Sequence, residues 1–265
     1  MPAYRAIAEY YDAEYADSRM LQQDVPLFLD HLPRRRSVLE LCVGTGRAAI
    51  PIAQAGHRVV GVDVDADLLA IATRKRDAAG LTDRQLELLH GDVRTLDLGR
   101  RFDWVAIFFN TLLVFPTLAE LDAVLGTVVR RHLAPGGRFW LDIFNPDLGL
   151  LAAPRSTDLE PHVFHVPALN RTVQSTTDIR RNAAEQTQLV TFHYTWFDPG
   201  GRRHRERNRF TMTWLFPREL QVLLERNGLR VEHLYGNYDG SRVTDASPRL
   251  IACCRLAQRE PKRGA

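Results

Sequence analysis

Three carboxylates and a glycine turn follow one another along the first part of the chain: Glu40, Gly44 to Gly46, Asp63 and Asp92. Gly44-Thr45-Gly46-Arg47-Ala48-Ala49 satisfies the Gly-x-Gly-x-x-Gly/Ala pattern, in which a strand turns into a helix beneath a nucleotide. In a dinucleotide site the pyrophosphate rests over the N-terminus of that helix. Glu40, four residues ahead of Gly44, would repel it. A cofactor with an ammonium and a sulfonium and no phosphate, such as S-adenosylmethionine, suits the carboxylate. The glycines let the backbone pass close to its methionine part without a Cβ in the way. Glu40 also has a plainer reading, as an ion-pair partner of a neighbouring arginine such as Arg47.

Asp63 ends the run Gly61-Val62-Asp63, where an acidic side chain can accept both ribose hydroxyls of an adenosine cofactor. Helix capping is its other reading, but Asp65 stands better placed for that. Asp92, in Gly91-Asp92-Val93, can accept from an adenine amino group while Val93 packs on the ring; a turn role is equally compatible.

The elements that position these residues alternate. Ser37–Val43, His57–Asp63, Leu86–His90, Asp103–Phe109 and Arg138–Phe144 read as strands. Helices are expected over Arg47–Ala55, Ala66–Ala79 and Leu118–Leu133, with Gly56 and Gly80 closing the first two. This rhythm predicts an α/β fold, a mostly parallel sheet covered by helices on both faces. After Pro146 the pattern changes to strand-like alternation. Leu189–Phe197 and Arg207–Trp214 flank Asp198-Pro199-Gly200-Gly201 and are expected to form an antiparallel hairpin. A helix from Pro217 to Asn227 and strands near 229–235 and 249–255 follow. The expected divisions are an N-terminal helical lid (1–36), a Rossmann-like cofactor core (37–146), an antiparallel β insertion on the substrate side (147–215), a C-terminal helix and strands completing the core (216–257), and a polar tail (258–265).

The net charge is +3 over 265 residues, too small to argue for nucleic acid, and the basic stretch Arg202–Arg209 reads as a solvated hairpin tip. Of the three cysteines, Cys42, Cys253 and Cys254, none forms a Cys-x-x-Cys pair, so no metal is expected. No apolar run is long enough for a membrane span and no apolar signal core is seen near the start, so a cytoplasmic setting is expected. A homodimer stays open.

Taken together, Val38–Gly46, Val60–Asp63, Gly91–Val93, Phe102–Asn110 and Leu133–Gly137 resemble the class I S-adenosylmethionine-dependent methyltransferase family. Tyr11-Asp12-x-x-Tyr15 and the late Tyr235–Gly240 and Ser247–Leu250 segments are similar to a bacterial subgroup acting on small molecules, whose layout includes the macrolide sugar N,N-dimethyltransferases. The resemblance implies a seven-stranded Rossmann-like sheet with extra antiparallel strands after the fifth. It implies that Glu40, Gly44, Thr45 and Gly46 line the methionine part, that Asp63 and Val64 meet the ribose, and that Asp92 and Val93 meet the adenine. Phe108 and Phe109 would stand near the sulfonium, with Tyr11 closing over the cofactor. Cys42 departs from the pattern, standing where the loop usually has its first glycine.

Methyl transfer is an in-line displacement that needs chiefly positioning, with a base only for a hydroxyl acceptor. The expected function is transfer to N or O of a small molecule in bacterial secondary metabolism. His193 and Tyr11 are the candidate catalytic residues, although His193 also reads as a histidine on a polar sheet face. Tyr15, Asn110, Tyr194, Trp196, Arg209 and Tyr238 are the candidate substrate contacts; by strand alternation Tyr194 and Trp196 share one face. A nicotinamide-dependent oxidoreductase, a non-catalytic cofactor-binding module and an RNA or protein methyltransferase are the rivals. Glu40 counts against the first, and Asn110-Thr111-Leu112-Leu113, where many nucleic-acid and protein methyltransferases carry Asn/Asp-Pro-Pro-Tyr/Phe, counts against the last. S-adenosylhomocysteine is expected to bind in the micromolar range by calorimetry, and Asp63→Ala to weaken it by more than about tenfold. Unchanged affinity in that variant would place the ribose contact elsewhere.

Overall fold

The computed structural model describes residues 8–16, 18, 21–158 and 161–257, so the expected tail over 258–265 lies outside the described residues. Val38, Leu39 and Leu41 are buried in β1 (Ser37–Leu41), which needs cover on both faces. It pairs in parallel with β2 (Arg58–Asp63) and β4 (Phe102–Ile107); β3 (Leu86–His90) and β5 (Leu133–Phe144) extend the sheet in parallel. β12 (Arg249–Leu256) runs antiparallel between β5 and β11 (Leu229–Tyr235), giving seven strands in the order β11-β12-β5-β4-β1-β2-β3. The mostly parallel seven-stranded α/β sheet expected from the sequence is present.

Helices α2 (Asp24–His31), α3 (Ala49–Gln54), α4 (Ala66–Ala78), α5 (Leu118–Thr127) and α7 (Pro217–Arg226) cover this sheet. Asp65 caps α4, its Oδ1 accepting from the amides of Asp67 and Leu68. Pro217 opens α7, and the Phe216 amide donates to Glu219 Oε2 at 2.9 Å. The α5 helix ends earlier than expected, because the chain widens into a π turn over Val128–His132 before β5. On one face of the sheet Phe28 meets Trp104, Phe108 and Trp140 edge-on, with ring centroids 5.2–5.5 Å apart.

Where β4 ends, Phe109 and Asn110 are consecutive left-handed residues (φ 50° and 61°). That conformation costs a residue with a Cβ roughly 1–2 kcal/mol, least for Asn. It is held by Asp142 of β5, which accepts from the Phe109 amide and the Tyr238 hydroxyl through its carboxylate and from the Asn110 amide through its backbone carbonyl. Arg249 Nη2 lies 3.3 Å from Asp142 Oδ1, and Arg249 Nη1 donates to Asn110 Oδ1 at 3.0 Å. Both members of this ion pair are buried, at 2% and 0% side-chain exposure.

Between β5 and α7 the chain leaves the main sheet through α6 (Leu148–Ala152) and builds a second, antiparallel one. Its order is β10-β9-β8-β6, with β7 also on β8; the strands are β6 (Arg155–Thr157), β7 (His162–Val166), β8 (Arg171–Asn182), β9 (Thr187–Phe197) and β10 (Arg203–Thr213). The expected hairpin around Asp198–Gly201 is its β9–β10 pair. Helix α1 (Ala8–Glu14) bridges the two sheets. Asp12 takes Thr45 Oγ1 (2.7 Å) and Lys75 Nζ (2.8 Å), and Glu9 takes Arg74 (2.8 Å). On its other side, Arg171 donates to the Tyr10 hydroxyl (2.8 Å) and Tyr194 to Glu14 (2.9 Å).

Removing one member of a buried pair leaves the other charge uncompensated. Arg249→Met is expected to lower the unfolding free energy in urea by about 3–5 kcal/mol, and adding Asp142→Asn to restore part of the loss. Equal stability of the wild type and Arg249→Met would show the pair to be dispensable.

Candidate functional site

The C-terminal ends of β1, β2 and β4 open into a cleft roofed by α1 and walled by the second sheet, the usual place for a ligand on a doubly wound sheet. Its volume of about 1250 Å³ exceeds the 300–1,000 Å³ typical of a single small-molecule pocket. There is room for a cofactor and an acceptor side by side.

The turn after β1 is built from left-handed residues: Cys42 (φ 57°), Gly44 (φ 54°) and Gly46 (φ 76°). Cys42 thus adopts the backbone that the glycine pattern serves, although it carries a side chain. The Gly44 amide donates to Asp63 Oδ2 (2.8 Å), and Asp63 Oδ1 accepts from the Asp65 amide (2.9 Å). One carboxylate thereby fixes the turn to the end of β2. With that amide engaged, and Glu40, Asp63, Asp65 and Asp92 close by, the turn is poorly made for a phosphate. This counts against a nicotinamide dinucleotide.

Glu40 is 4% exposed, and its Oε2 has no hydrogen-bond partner. Arg47 does not supply one by pairing with it. The guanidinium is spent on Asp24, with Nη1–Oδ1 at 3.0 Å and Nη2–Oδ2 at 2.5 Å. Burial pushes the Glu40 carboxyl up to about 8, against the pull of Arg47. Burial also raises Asp63, offset in part by the amides of Asp65 and Gly44, and holds the Cys42 thiol well above its ordinary value. A buried carboxyl oxygen without a partner beneath a glycine turn is an acceptor that an ammonium would complete, so these residues fit the methionine part of S-adenosylmethionine.

Of the residues expected at the site, Tyr11, Tyr15, Cys42, Gly44, Asp63, Val64, Asp92, Val93, Phe109, Asn110 and Arg209 border the cleft. Glu40, Thr45 and Gly46 lie immediately behind the lining residues Cys42 and Gly44, Glu40 and Thr45 being buried and Thr45 tied to Asp12. Asp92 reaches the cleft within the fork of Arg94, which donates from Nε and Nη2 to its carboxylate and from Nη1 to Glu120. The Asp92 carboxyl is correspondingly lowered, chiefly by Arg94. Phe109 stands edge-on to Tyr15 at 5.4 Å, with the Arg47 and Arg249 guanidinium carbons 5.9 and 5.8 Å from its centroid. Asn110 Oδ1 accepts from the Phe144 amide (2.7 Å) as well as from Arg249.

Five expectations are corrected by placement. Phe108 turns into the core against Phe28, leaving Phe109 alone of the two at the cleft, because the chain past β4 turns through the left-handed corner at Phe109 and Asn110. Tyr238 is buried and gives its hydroxyl to Asp142. His193 is exposed on the outer face of β9, away from the cleft. Tyr194 and Trp196 share the inner face but lie beyond the cleft. The first is sealed under α1 against Tyr10 and Glu14; the second is stacked between Arg171, 3.4 Å from its centroid, and His204, at 3.9 Å. Arg209 borders the cleft with its side chain exposed on the face opposite Asn208. The sequence reading passed over Asp65, Phe115, Phe144, Gln188, Phe192 and Asn208, all of which line the cleft. The alternation of β10, with Asn208 set between exposed Arg207 and Arg209, was the available signal for the last.

No helix among the described residues is long and apolar enough to cross a membrane, and no metal-binding group of His, Cys, Asp and Glu is found among them. A family model described as a methyltransferase domain matches residues 38–137. The chain is 38% identical to the cypemycin N-terminal methyltransferase of a Streptomyces species, over 82% of this chain and 81% of that protein. It is 31% identical to dTDP-3-amino-3,6-dideoxy-alpha-D-glucopyranose N,N-dimethyltransferase of Streptomyces fradiae, over 91% of each. In fold it matches the CcbJ methyltransferase of Streptomyces caelestis with a TM-score of 0.79 at 24% identity, covering 97% of this chain and 98% of that one. With an identity of this extent along most of its length, and a cleft made for a cationic adenosine cofactor, the chain belongs to the S-adenosylmethionine-dependent methyltransferases.

Proposed function

We propose that this enzyme methylates a neutral amine nitrogen of a small molecule in a bacterial biosynthetic pathway, and that the named cleft residues divide between cofactor and acceptor. S-adenosylmethionine supplies an electrophilic methyl group on a sulfonium. Glu40 and the Gly44–Gly46 turn would hold its ammonium end. Asp63 would hold the ribose, and Val93 with Asp92 the adenine. Phe109, Tyr11 and Tyr15 enclose the space in which nucleophile and methyl line up, which is where most of the rate arises.

The observation that carries the choice of nitrogen is the absence of a suitable base among the described residues of the cleft. No histidine lines it, its outer carboxylates Asp92 and Glu120 are both held by Arg94, and Asp63 and Asp65 are engaged by backbone amides at the glycine turn and the start of α4. Burial pushes the Tyr11 phenol up to about 12, so it keeps its proton and orients rather than abstracts. A hydroxyl acceptor needs a base; an amine brings its own electron pair. The relatives support this reading, since their names record an N-terminal methyltransferase and an N,N-dimethyltransferase.

Two measurements test it. In a labelled methyl-transfer assay, amines from a panel of amine and hydroxyl pairs are expected to turn over at least about 100-fold faster than their hydroxyl counterparts. Comparable turnover of a hydroxyl acceptor would overturn the choice. Glu40 gives the second. With its carboxyl at about 8 in the free enzyme, it is protonated below that pH and must release the proton to pair with an ammonium. S-adenosylhomocysteine affinity should therefore rise by up to about tenfold per unit as pH approaches 8 from below, then level off. The Glu40→Gln variant should bind more weakly and without that proton release, read from binding heats in buffers of different ionisation enthalpy. The same proton release in wild type and variant would remove Glu40 from the contact.

A further inference from the structure

We infer that Asn208 forms an acceptor subsite that reads a carbonyl-type oxygen on an otherwise apolar amine substrate, an inference that rests on the methyltransferase reading of the cleft. The second sheet presents three cross-strand rows on its inner face: Thr177–Phe192–Asn208, Ile179–Val190–Phe210 and Arg181–Gln188–Met212. Except for Arg181, which turns to Ala153 and Ser156 of the β6 side, all of these line the cleft. They face Phe109, Phe115 and Phe144 across the space. The wall is mostly aliphatic and aromatic, and no charged side chain points inward from these rows into the cleft. Arg207 and Arg209 flank Asn208 and border the cleft, but their side chains are exposed on the opposite face of β10.

Within that wall Asn208 is 6% exposed, and its Nδ2 has no hydrogen-bond partner. An amide NH₂ can only donate. Leaving such a donor desolvated and unpaired costs roughly 1–3 kcal/mol, so native proteins rarely do it without a purpose. The position is not set by packing demands on β10, because an apolar side chain would suit the row with Phe192 equally well. What completes Nδ2 is an acceptor atom brought by the ligand, on the opposite side of the cleft from the carboxylate-rich turn. A molecule held there by one oxygen and an apolar body can present its amine toward Phe109. Asn208 is on this reading a specificity-determining residue, with Thr177 and Gln188 as the remaining polar groups of the same wall.

Crystals of the S-adenosylhomocysteine complex soaked in N-methylacetamide test this, in the wild type and in Asn208→Leu. The fragment's oxygen is expected about 2.7–3.2 Å from Asn208 Nδ2, and the fragment is expected to be lost from that place in the variant. Melting temperature separates this from a structural role: Asn208→Leu removes an unpaired donor and should melt no lower than the wild type. S-adenosylhomocysteine affinity should stay within about twofold, because the residue lies outside the cofactor half. A drop in melting temperature with Nδ2 bonded to a protein oxygen overturns the subsite. So does a fragment bound equally in both proteins, which is binding at crystal concentration only, or no fragment at Asn208 in the wild type. Failure of the wild type to bind S-adenosylhomocysteine at all would instead strike the methyltransferase reading, and the same titrations report it separately.

Discussion

Asp142 sits where the parallel and antiparallel parts of the main sheet meet, and its charge is compensated within the protein by Arg249. That pairing fixes more than two side chains. Through Asp142 it engages the amide of Phe109 and the hydroxyl of Tyr238, and through Arg249 it engages the side chain of Asn110. The chain leaves β4 in two successive left-handed residues because those bonds hold it there. Phe109 faces the cleft as a result, while Phe108 closes the core beneath. Phe109's position at the cleft therefore depends on a buried charge pair contributed by β5 and β12.

A second electrostatic arrangement complements it. The cofactor half of the cleft concentrates carboxylates. Asp63 is satisfied by backbone amides and Asp92 by Arg94, whereas Glu40 keeps an oxygen unpaired. In the free protein that carboxylate is largely neutral near neutral pH, which spares the fold the cost of a buried charge. A cation arriving at the turn supplies the compensation the protein leaves out. The wall formed by the second sheet has the opposite character, mostly apolar with Asn208 Nδ2 left unpaired. One cleft can therefore sort a cationic ligand from an apolar one.

The parts of this design differ in how legible they were. The order Glu40, glycine turn, Asp63 and Asp92 is local chemistry on consecutive strand ends, so the sequence displays it directly. The mostly parallel sheet and the hairpin at Asp198–Gly201 follow from alternation and turn residues, and the count of seven strands from the family resemblance. Strand periodicity correctly puts Tyr194 and Trp196 on one face, and it is the inner one. What it does not contain is how far along that face the cleft extends, which is decided by α1 sealing the row of Tyr194. His193 could not be separated from Tyr194 by residue type, only by the sense of the face. Phe108 and Phe109 are adjacent and identical, and their division rests on a backbone corner set by Asp142 and Arg249, distant in sequence. Asn208 stands in a basic run that reads as a solvated tip; its alternation with Arg207 and Arg209 sets it on the other face, and the pairing with Phe192 identifies that face as the inner one.

Helix α1 is fastened at both edges. Asp12 and Glu9 tie it to Thr45, Lys75 and Arg74 beside the cofactor turn, and Tyr10 and Glu14 tie it to Arg171 and Tyr194 on the second sheet. The two halves of the cleft therefore share one cover, and four side chains of a single short helix, Glu9, Tyr10, Asp12 and Glu14, hold it in place over both.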